Sequence, residues 1–202
     1  IRIGPVSAGR TPLIRDFVDL APLEDLVFGG WDPYPDNAFQ AAKRASVLCN
    51  EDLIPLEDFL TGITPMPAAF DHEYVKRLEG PNVKAADNKF ELAEALREDI
   101  RIARAAHGDA RAVMVWCGST EEVMHPAACH APTASVERGM KDNDPAIPPS
   151  QLYAYAAIKE GIPYANGAPN LSADVPALED LAARAGVPIT GKDFKTGQTL
   201  IK

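Results

Sequence analysis

Cysteines, basic residues and long apolar runs are all scarce in this 202-residue sequence. The three cysteines, Cys49, Cys117 and Cys129, are odd in number, widely spaced and without a C-x-x-C pair. Neither a disulfide framework nor a zinc site is therefore indicated, and we expect a reducing, cytoplasmic setting. No apolar run approaches the roughly 18 residues of a membrane helix, and we expect neither a membrane span nor a signal peptide.

The net charge of the chain indicates which kind of partner it can bind. There are 20 lysines and arginines against 29 aspartates and glutamates, a formal net charge of −9. Nucleic acid or an anionic membrane as the main partner would need a concentrated basic face, so a small-molecule partner is favoured. The length allows one large domain or two small ones. Because the sequence begins with Ile1 and ends in a polar loop, we expect it to be a piece of something longer.

The final loop, residues 191–202, has the composition of a binding site. Two glycines, two hydroxyls, a carboxamide, an acid and two lysines lie within nine residues, directly after the strand-like residues 187–190. Glycine lets the backbone approach a ligand, N–H groups, Thr and Gln donate hydrogen bonds, and Lys supplies charge. The spacing does not match G-x-x-x-x-G-K-[ST], so an anion site and a hydrated turn both remain open.

Two apolar segments run into loops that are rich in small and polar residues. Residues 26–28 predict a buried strand that ends in two glycines, Trp31 and Asp32. At a sheet rim Asp32 can accept hydrogen bonds from a ribose, although it can equally start a turn with the prolines that follow. Residues 110–116 form the best predicted strand and lead into the turn at residues 117–120.

The turn at residues 117–120 offers two kinds of chemistry. Its backbone N–H groups can face a ligand at the rim, and Ser119 or Thr120 can cap a following helix. Cys117 suggests a nucleophile, but no base is identifiable and a small residue in such a turn is more often present for its size. The histidines His72, His125 and His130 show no metal-ligand spacing.

Helical periodicity and capping residues predict four helices with defined bounds, besides one short helix within residues 51–88 and the helix that would follow Ser119 or Thr120. Asn37 caps a helix over residues 38–48, and a second helix covers residues 89–106 with a solvated charged face. Ser150 caps a third over residues 151–160, and Asp174 a fourth over residues 175–185 that ends at Gly186. The predicted inward-facing residues are Phe39, Ala42 and Val47 in the first helix and Leu92, Leu96, Ile100 and Ala103 in the second.

The order of these elements defines a fold class. Strands alternate with helices, three small or polar turns follow apolar strands, and turn-forming residues are also concentrated at 164–170. This pattern favours an α/β fold with a doubly wound, mostly parallel, Rossmann-like sheet that is incomplete at both ends. In the helix after Ser150, Tyr153 and Tyr155 are two residues apart and cannot share one face, so we expect one of them to point outward.

Four segments of the sequence are V-F-G-G-W-D at residues 27–32, W-C-G-S-T-E at 116–121, N-G-A-P at 166–169 and K-D-F-K-T-G-Q-T at 192–199. Together they resemble the inositol-3-phosphate synthase (myo-inositol-1-phosphate synthase) family. They occur in the family's order, cover nearly the whole chain and are more specific together than any is alone. The second and fourth look like variants of W-T-A-N-T-E and G-D-D-x-K-S-G-Q-T and suggest a prokaryotic branch, although Lys192 replaces an acid.

The resemblance implies an NAD-dependent isomerase that converts glucose 6-phosphate into inositol 3-phosphate. In that family NAD oxidises carbon five, the ketone is enolised and closes on carbon one in an intramolecular aldol step, and NADH reduces the ring ketone. Residues 1–202 would then be the later part of the NAD-binding domain, with the first glycine-rich turn upstream and the main catalytic lysines downstream. The intact protein would be a cytoplasmic homotetramer that supplies phospholipid synthesis, and this piece alone would be inactive.

The resemblance also assigns residues to roles. Lys195 is implied as catalytic and no metal site is implied. The substrate phosphate would be held by Thr196, Gly197 and Gln198. Two alternatives stay open, namely another NAD-dependent oxidoreductase and a non-catalytic binding fragment. The implied cofactor-binding residues are Asp32, Cys117, Gly118, Ser119, Thr120, Gly167, Ala168, Asp193 and Thr196.

Overall fold

Short parallel strands and α-helices make up the chain in a computed structural model, which describes residues 14–108, 110–131 and 134–194. The strands are β1 (Trp31–Asp32), β2 (Met66–Pro67), β3 (Met114–Trp116), β4 (Tyr164–Asn166) and β5 (Ile189–Thr190). The helices are α1 (Ala38–Ala45), α2 (Asn50–Leu53), α3 (Glu57–Thr61), α4 (Lys89–Ala106), α5 (Ala134–Lys141), α6 (Pro149–Lys159) and α7 (Pro176–Ala185). Short 3-10 helices cover Ile14–Asp16, Leu23–Asp25, Ile54–Leu56 and Ala128–His130.

The strands form two parallel sheets. β1 pairs with β2, and β3, β4 and β5 pair in sequential order. Helix α6 lies in the connection between β3 and β4, and α7 lies in the connection between β4 and β5. The carboxyl ends of β3, β4 and β5 therefore meet at one edge, which is where ligands bind in sheets of this kind. The prediction of a Rossmann-like α/β fold with parallel strands is confirmed.

Helix α6 is the centre of the core. Every residue from Pro149 to Ile158 is buried, because α6 packs against α4, α7, β3 and β4. The expectation that one of its two tyrosines points outward is wrong. Tyr153 is 4% and Tyr155 1% exposed, and each hydroxyl has a partner. The Tyr153 hydroxyl accepts from the Ala69 N–H at 2.9 Å, and that of Tyr155 donates to Glu137 at 2.7 Å.

Helix α4 begins and ends where its periodicity predicts. Leu96 and Ile100 face the core as expected, whereas Ala103 is exposed and Ala93 takes its place inside. Its charged face is only partly solvated, because Arg97 donates to Glu160 at the end of α6 at 2.7 Å. Burial alone would raise the pKa of the Glu160 carboxyl, but hydrogen bonds from Arg101 and Arg97 hold that pKa below its ordinary value. No helix in the described part of the chain has the length and hydropathy of a membrane span.

Helix α1 shows the predicted cap but a different length and environment. Asn37 accepts from the Gln40 N–H at 2.9 Å, and Gln40 accepts from the Asn37 N–H in return. The helix ends at Ala45, since Ser46 is in the left-handed region at φ 54°. Val47, expected inside, lies beyond the helix and is 83% exposed. No residue of α1 is fully buried, but Phe39 and Ala42 are half-buried whereas Gln40, Ala41 and residues 43–45 are exposed, so these two lie on the inward side of the helix as predicted.

Two predicted strands, of which that at residues 26–28 was expected to be buried, are shorter and more exposed than their apolar composition indicates. Residues 26–28 form no strand and are exposed, with Phe28 at 59%, and the strand itself is only Trp31–Asp32. In the second, β3 covers three residues. Val113 and Val115, on one face, are 66% and 48% exposed, while Trp116 packs against the core on the other. Within the described residues α6 covers only one face of β3, which accounts for the difference.

The other two predicted caps are not the observed ones. Ser150 is inside α6, whose N-cap is Pro148, and Val175 is the N-cap of α7. Asp174 instead accepts from the Ser172 N–H at 3.0 Å. The end of α7 is as predicted, because Gly186 takes the left-handed conformation, at φ 65°, that glycine adopts without steric cost.

Candidate functional site

Backbone hydrogen bonds connect the last residue of β3 with the loops that follow β4 and β5. The Gly167 N–H donates to the carbonyl oxygen of Trp116 at 2.8 Å. The N–H groups of Asp193 and Phe194 donate to the carbonyls of Ala168 and Gly167, at 3.2 and 3.1 Å. The structure therefore brings three of the four predicted site segments, those beginning at residues 117, 167 and 193, to one edge of the sheet.

The turn at residues 117–120 is fully exposed along its length. The four backbone N–H groups of this turn donate no hydrogen bond to any of residues 14–108, 110–131 and 134–194. The predicted helix after Ser119 and Thr120 is wrong, because the chain is irregular until Ala128. Glu121, the residue that follows this turn, is hydrogen-bonded to residues distant in sequence rather than to a helical turn. The turn offers free donors without the help of a helix N-terminus.

Trp116 supplies a further donor at the same edge. Its indole Nε1 is buried and has no hydrogen-bond partner in the described chain. The ring packs over Gly118, where an added Cβ would lie 2.8 Å from Cζ2, and against Tyr153, with ring centroids 5.1 Å apart. A buried N–H without a partner is costly, so a ligand acceptor beside Gly118 would stabilise it. Free backbone donors and an unpartnered indole N–H both fit a phosphate or a hydroxyl-rich ligand.

Gly167 and Ala168 are placed differently from residues that present their backbone to a ligand. Both are buried. Their N–H groups are already used, that of Gly167 by Trp116 and that of Ala168 by the Asn166 side chain at 3.0 Å. A Cβ at Gly167 would overlap the ring of Phe194. Their cofactor role stays a prediction, and the observed role of this pair is to join the loops.

Asp32 occupies the end of β1, in a turn. Its Oδ1 accepts from the Tyr34 N–H at 2.8 Å, which is the turn geometry that was one of its two interpretations. Its neighbour Trp31 packs edge-on against Tyr153, with ring centroids 5.3 Å apart. Since Tyr153 also contacts Trp116, this one tyrosine links the residues that precede Asp32 and Cys117. A ribose contact of Asp32 stays a prediction.

Lys192, near the end of the described residues, forms a local ion pair. Its Nζ lies 2.8 Å from Oδ2 of Asp174, and both side chains are partly exposed. The lysine that replaces an acid of the family pattern is thus paired locally. Asp193 adopts the left-handed conformation at φ 69°. The predicted residues Lys195, Thr196, Gly197 and Gln198 lie outside the described residues, and their roles stay predictions.

Glu121 is a residue of this edge to which the sequence prediction gave no role. It is 5% exposed, and its carboxylate accepts from the Ser150 N–H at 2.8 Å, from Ser150 Oγ at 2.5 Å and from Asn170 Nδ2 at 3.0 Å. Burial raises the pKa of this carboxyl, while the three hydrogen bonds oppose that change. In the sequence, its position as the last residue of the family-like segment at 116–121 could have indicated a role for it.

The remaining polar clusters are structural. Nδ1 of buried His130 accepts from the Ala127 N–H at 2.9 Å, so Nε2 carries the proton and donates to Gln151 Oε1 at 3.1 Å. Burial and the nearby Asp144 raise the pKa of the Cys129 thiol to about 11. Within the described ranges no three histidine, cysteine or acidic side chains are grouped to hold a metal ion.

A cavity of about 700 Å³ lies apart from the predicted site residues, none of which lines it. Lys89 and Tyr74 both line it. The ammonium donates to the Tyr74 hydroxyl and to the carbonyl of Asp144, both at 2.7 Å. Burial lowers the pKa of Lys89 and raises that of Tyr74 to about 12. Both contacts of Lys89 are made within the chain. We therefore interpret Lys89 as a structural link between α4 and the segment before α6.

A parallel α/β sheet with small-residue loops and free backbone donors at its carboxyl edge defines a nucleotide-binding domain of the Rossmann type. The family model for an NAD-binding domain, described as myo-inositol-1-phosphate synthase, matches residues 1–200. The chain belongs to this family. The prediction of NAD as the cofactor is confirmed by the same match.

Individual relatives agree with the family match. The inositol-3-phosphate synthase 1 of Bacteroides thetaiotaomicron is 50% identical over 191 residues, covering 94% of this chain and 44% of that protein. Isozyme 1 of Arabidopsis thaliana is 34% identical over 208 residues, covering 100% and 40%. The crystal structure of the Caenorhabditis elegans enzyme superposes with a TM-score of 0.87 at 30% identity, over 100% of this chain and 40% of that one. The chain therefore spans less than half the length of these relatives.

Proposed function

We propose that the protein containing this chain is an NAD-dependent inositol-3-phosphate synthase, which isomerises glucose 6-phosphate to 1D-myo-inositol 3-phosphate. Family membership supports the activity. The observation that carries the assignment of a site is the exposed turn at residues 117–120, with four free N–H groups at the carboxyl edge of a parallel sheet. In this proposal residues 1–202 form the later part of the NAD-binding domain of a cytoplasmic homotetramer that supplies phospholipid synthesis.

The cofactor supplies a hydride acceptor and donor when bound, and residues of this chain hold it and the substrate. The N–H groups of residues 117–120 and the Trp116 indole N–H donate to ligand oxygens. Asp32 and Asp193, when ionised, only accept hydrogen bonds and so face hydroxyl or amide groups rather than a phosphate. Buried Gly167 and Ala168 keep the loops in register beneath these contacts.

Product analysis of the full-length protein tests this proposal. We expect inositol phosphate from glucose 6-phosphate in the presence of catalytic NAD, with no net NADH, because the oxidation and the later reduction cancel. The measurement combines product identification with absorbance of NADH during turnover. Net accumulation of NADH from the sugar phosphate would instead identify another oxidoreductase on the same fold.

The last loop provides a prediction that separates binding from turnover. Thr196, Gly197 and Gln198 are proposed to hold the substrate phosphate, and Lys195 to stabilise developing negative charge. Gln198→Ala should raise the Michaelis constant for glucose 6-phosphate with little change in turnover. Lys195→Met should lower turnover by about tenfold, because it removes an interaction made most strongly in the transition state. Steady-state kinetics of both variants measure the difference.

The control for the lysine is Lys192→Met, which removes an equal charge three residues away that is already paired with Asp174. It should leave turnover within about twofold. If Lys195→Met also leaves turnover and the Michaelis constant within about twofold, the lysine is solvated and the positive charge of the site comes from elsewhere.

A further inference from the structure

Glu121 makes more long-range hydrogen bonds than its position in an exposed loop requires. Its carboxylate meets the first turn of α6 through Ser150 and the loop after β4 through Asn170. Its own backbone N–H donates to Asn170 Oδ1 at 3.1 Å, so the side chain of one residue binds the backbone and side chain of the other. Three segments separated along the chain by 29 and 49 residues are thus joined at a single carboxylate.

We propose that Glu121 is a positioning residue, whose buried carboxylate fixes the loops after β3 and β4 in the relative arrangement that the cofactor site needs. The proposal adds a residue to the proposed function and rests on that function for its kinetic test. Glu121 does not touch the cofactor in this proposal. It acts through the residues that it holds.

The contacts run from Glu121 to the predicted ligand-binding residues without a break. Asn170 is held by Glu121, and its carbonyl accepts from Asn166 Nδ2 at 2.9 Å. Asn166 Oδ1 accepts from the Ala168 N–H, and the Ala168 carbonyl accepts from the Asp193 N–H. Displacing Asn170 would therefore shift the hydrogen-bonded loops after β4 and β5 relative to the turn at 117–120.

The location of the carboxylate suits a negative charge. Pro148, the N-cap of α6, makes no side-chain capping bond, so the first turn of the helix receives no local acceptor there. Glu121 supplies that acceptor from a distant part of the chain, at the end of the helix where the macrodipole favours an anion. A neutral amide at position 121 would keep an acceptor for the Ser150 N–H but would direct N–H groups at the Asn170 amide, which also donates.

The test compares three variants of the full-length protein. Glu121→Gln removes the charge and replaces one carboxylate oxygen, which accepts hydrogen bonds, by an amide nitrogen, which donates them. Glu122→Gln makes the same chemical change at the adjacent residue, whose side chain is 55% exposed and pairs with Lys76 at 3.2 Å. The double variant Glu121→Gln with Asn170→Asp restores complementarity, because the new amide can donate to the new carboxylate while the second carboxylate oxygen still accepts from the backbone N–H of residue 121.

Two readouts are measured, namely the kinetics with varied NAD and the hydrogen exchange of the Gly167 amide, which donates to Trp116. Glu121→Gln should raise the KM for NAD about tenfold with kcat at saturating NAD within about twofold, and should speed exchange at Gly167 by about tenfold. Glu122→Gln should change neither quantity by more than about twofold, and the double variant should recover most of both losses.

Unchanged exchange at Gly167 in Glu121→Gln would overturn the proposal, as would a fall in kcat with no change in the KM for NAD. A double variant no better than Glu121→Gln would overturn it too, since complementarity with Asn170 would then not matter. If the full-length protein makes no inositol phosphate, the proposed function fails while the exchange of Gly167 and its recovery in the double variant still decide the role of Glu121.

Discussion

Gly118→Val is expected to weaken the binding of NAD to the full-length protein by about 100-fold, which corresponds to about 2.7 kcal/mol. A Cβ at this position would lie 2.8 Å from the Trp116 ring, whose movement is restricted because it also packs against Tyr153. The turn would have to move, and the valine side chain would cover free N–H groups of residues 117–120. Titration of the variant with NAD measures the change.

A suitable control is Arg101→Gln on the exposed side of α4, which loses hydrogen bonds to Glu160 and Glu98 but is remote from the predicted site residues in sequence. It should alter the affinity for NAD by less than about twofold. Equal losses in the two variants would contradict a cofactor site at the turn, since general destabilisation would then explain both.

Gly80→Ala is expected to lower the free energy of unfolding by about 3 kcal/mol, at the upper end of the usual cost of overpacking. A Cβ at Gly80 would overlap the carbonyl of Pro33, and the obstacle is backbone rather than a flexible side chain. The same carbonyl accepts from the Asn82 N–H at 2.8 Å, and Asn82 Nδ2 donates to the Asp32 carbonyl at 2.9 Å. Thermal or denaturant unfolding of the full-length protein measures the loss.

Gly29→Ala is the matched control for this change. Nothing lies within 4 Å of a Cβ added at Gly29, so the substitution should alter stability by less than about 0.5 kcal/mol. Because Pro33 directly follows Asp32, Gly80→Ala should also weaken NAD binding if Asp32 contacts the ribose. A destabilisation no larger than that of Gly29→Ala would show that the loop after β1 accommodates the methyl group by a small shift.

Local signals predicted the features that depend on neighbouring residues in the chain. The boundaries of α4, the Asn37 cap of α1 and the left-handed end of α7 at Gly186 all follow from helical periodicity or from a single capping residue. Each of these is decided within one or two helical turns, so no knowledge of the tertiary fold is needed.

Features that depend on distant segments were not predictable in the same way. Periodicity cannot show that α6 is enclosed on all sides, and so the burial of both Tyr153 and Tyr155 was missed. Apolar residues 26–28 look like a buried strand, yet burial requires a covering element that composition does not supply. The helix expected after Thr120 is replaced by a loop because Glu121 is bonded to residues 29 and 49 positions away.

The candidate site shows the same difference between features set by neighbouring residues and features set by distant segments. The segments that meet at the edge of the sheet were identifiable from small residues after strands and from the family resemblance, and three of them are joined as expected. Which groups face outward was not identifiable, because Gly118 is exposed whereas Gly167 is buried although both follow a strand. That distinction depends on Asp193 and Phe194, which cover the second glycine but not the first.

Tyr153 has a consequence for how a ligand would be received. Its ring contacts both Trp31 and Trp116, and its hydroxyl accepts from the Ala69 N–H, so one helix residue holds parts of both sheets. The segments leading to Asp32 and to Cys117 are therefore constrained together before any ligand arrives. A ligand that touched both would find them pre-organised and would lose less conformational entropy on binding than if each loop had to be ordered separately.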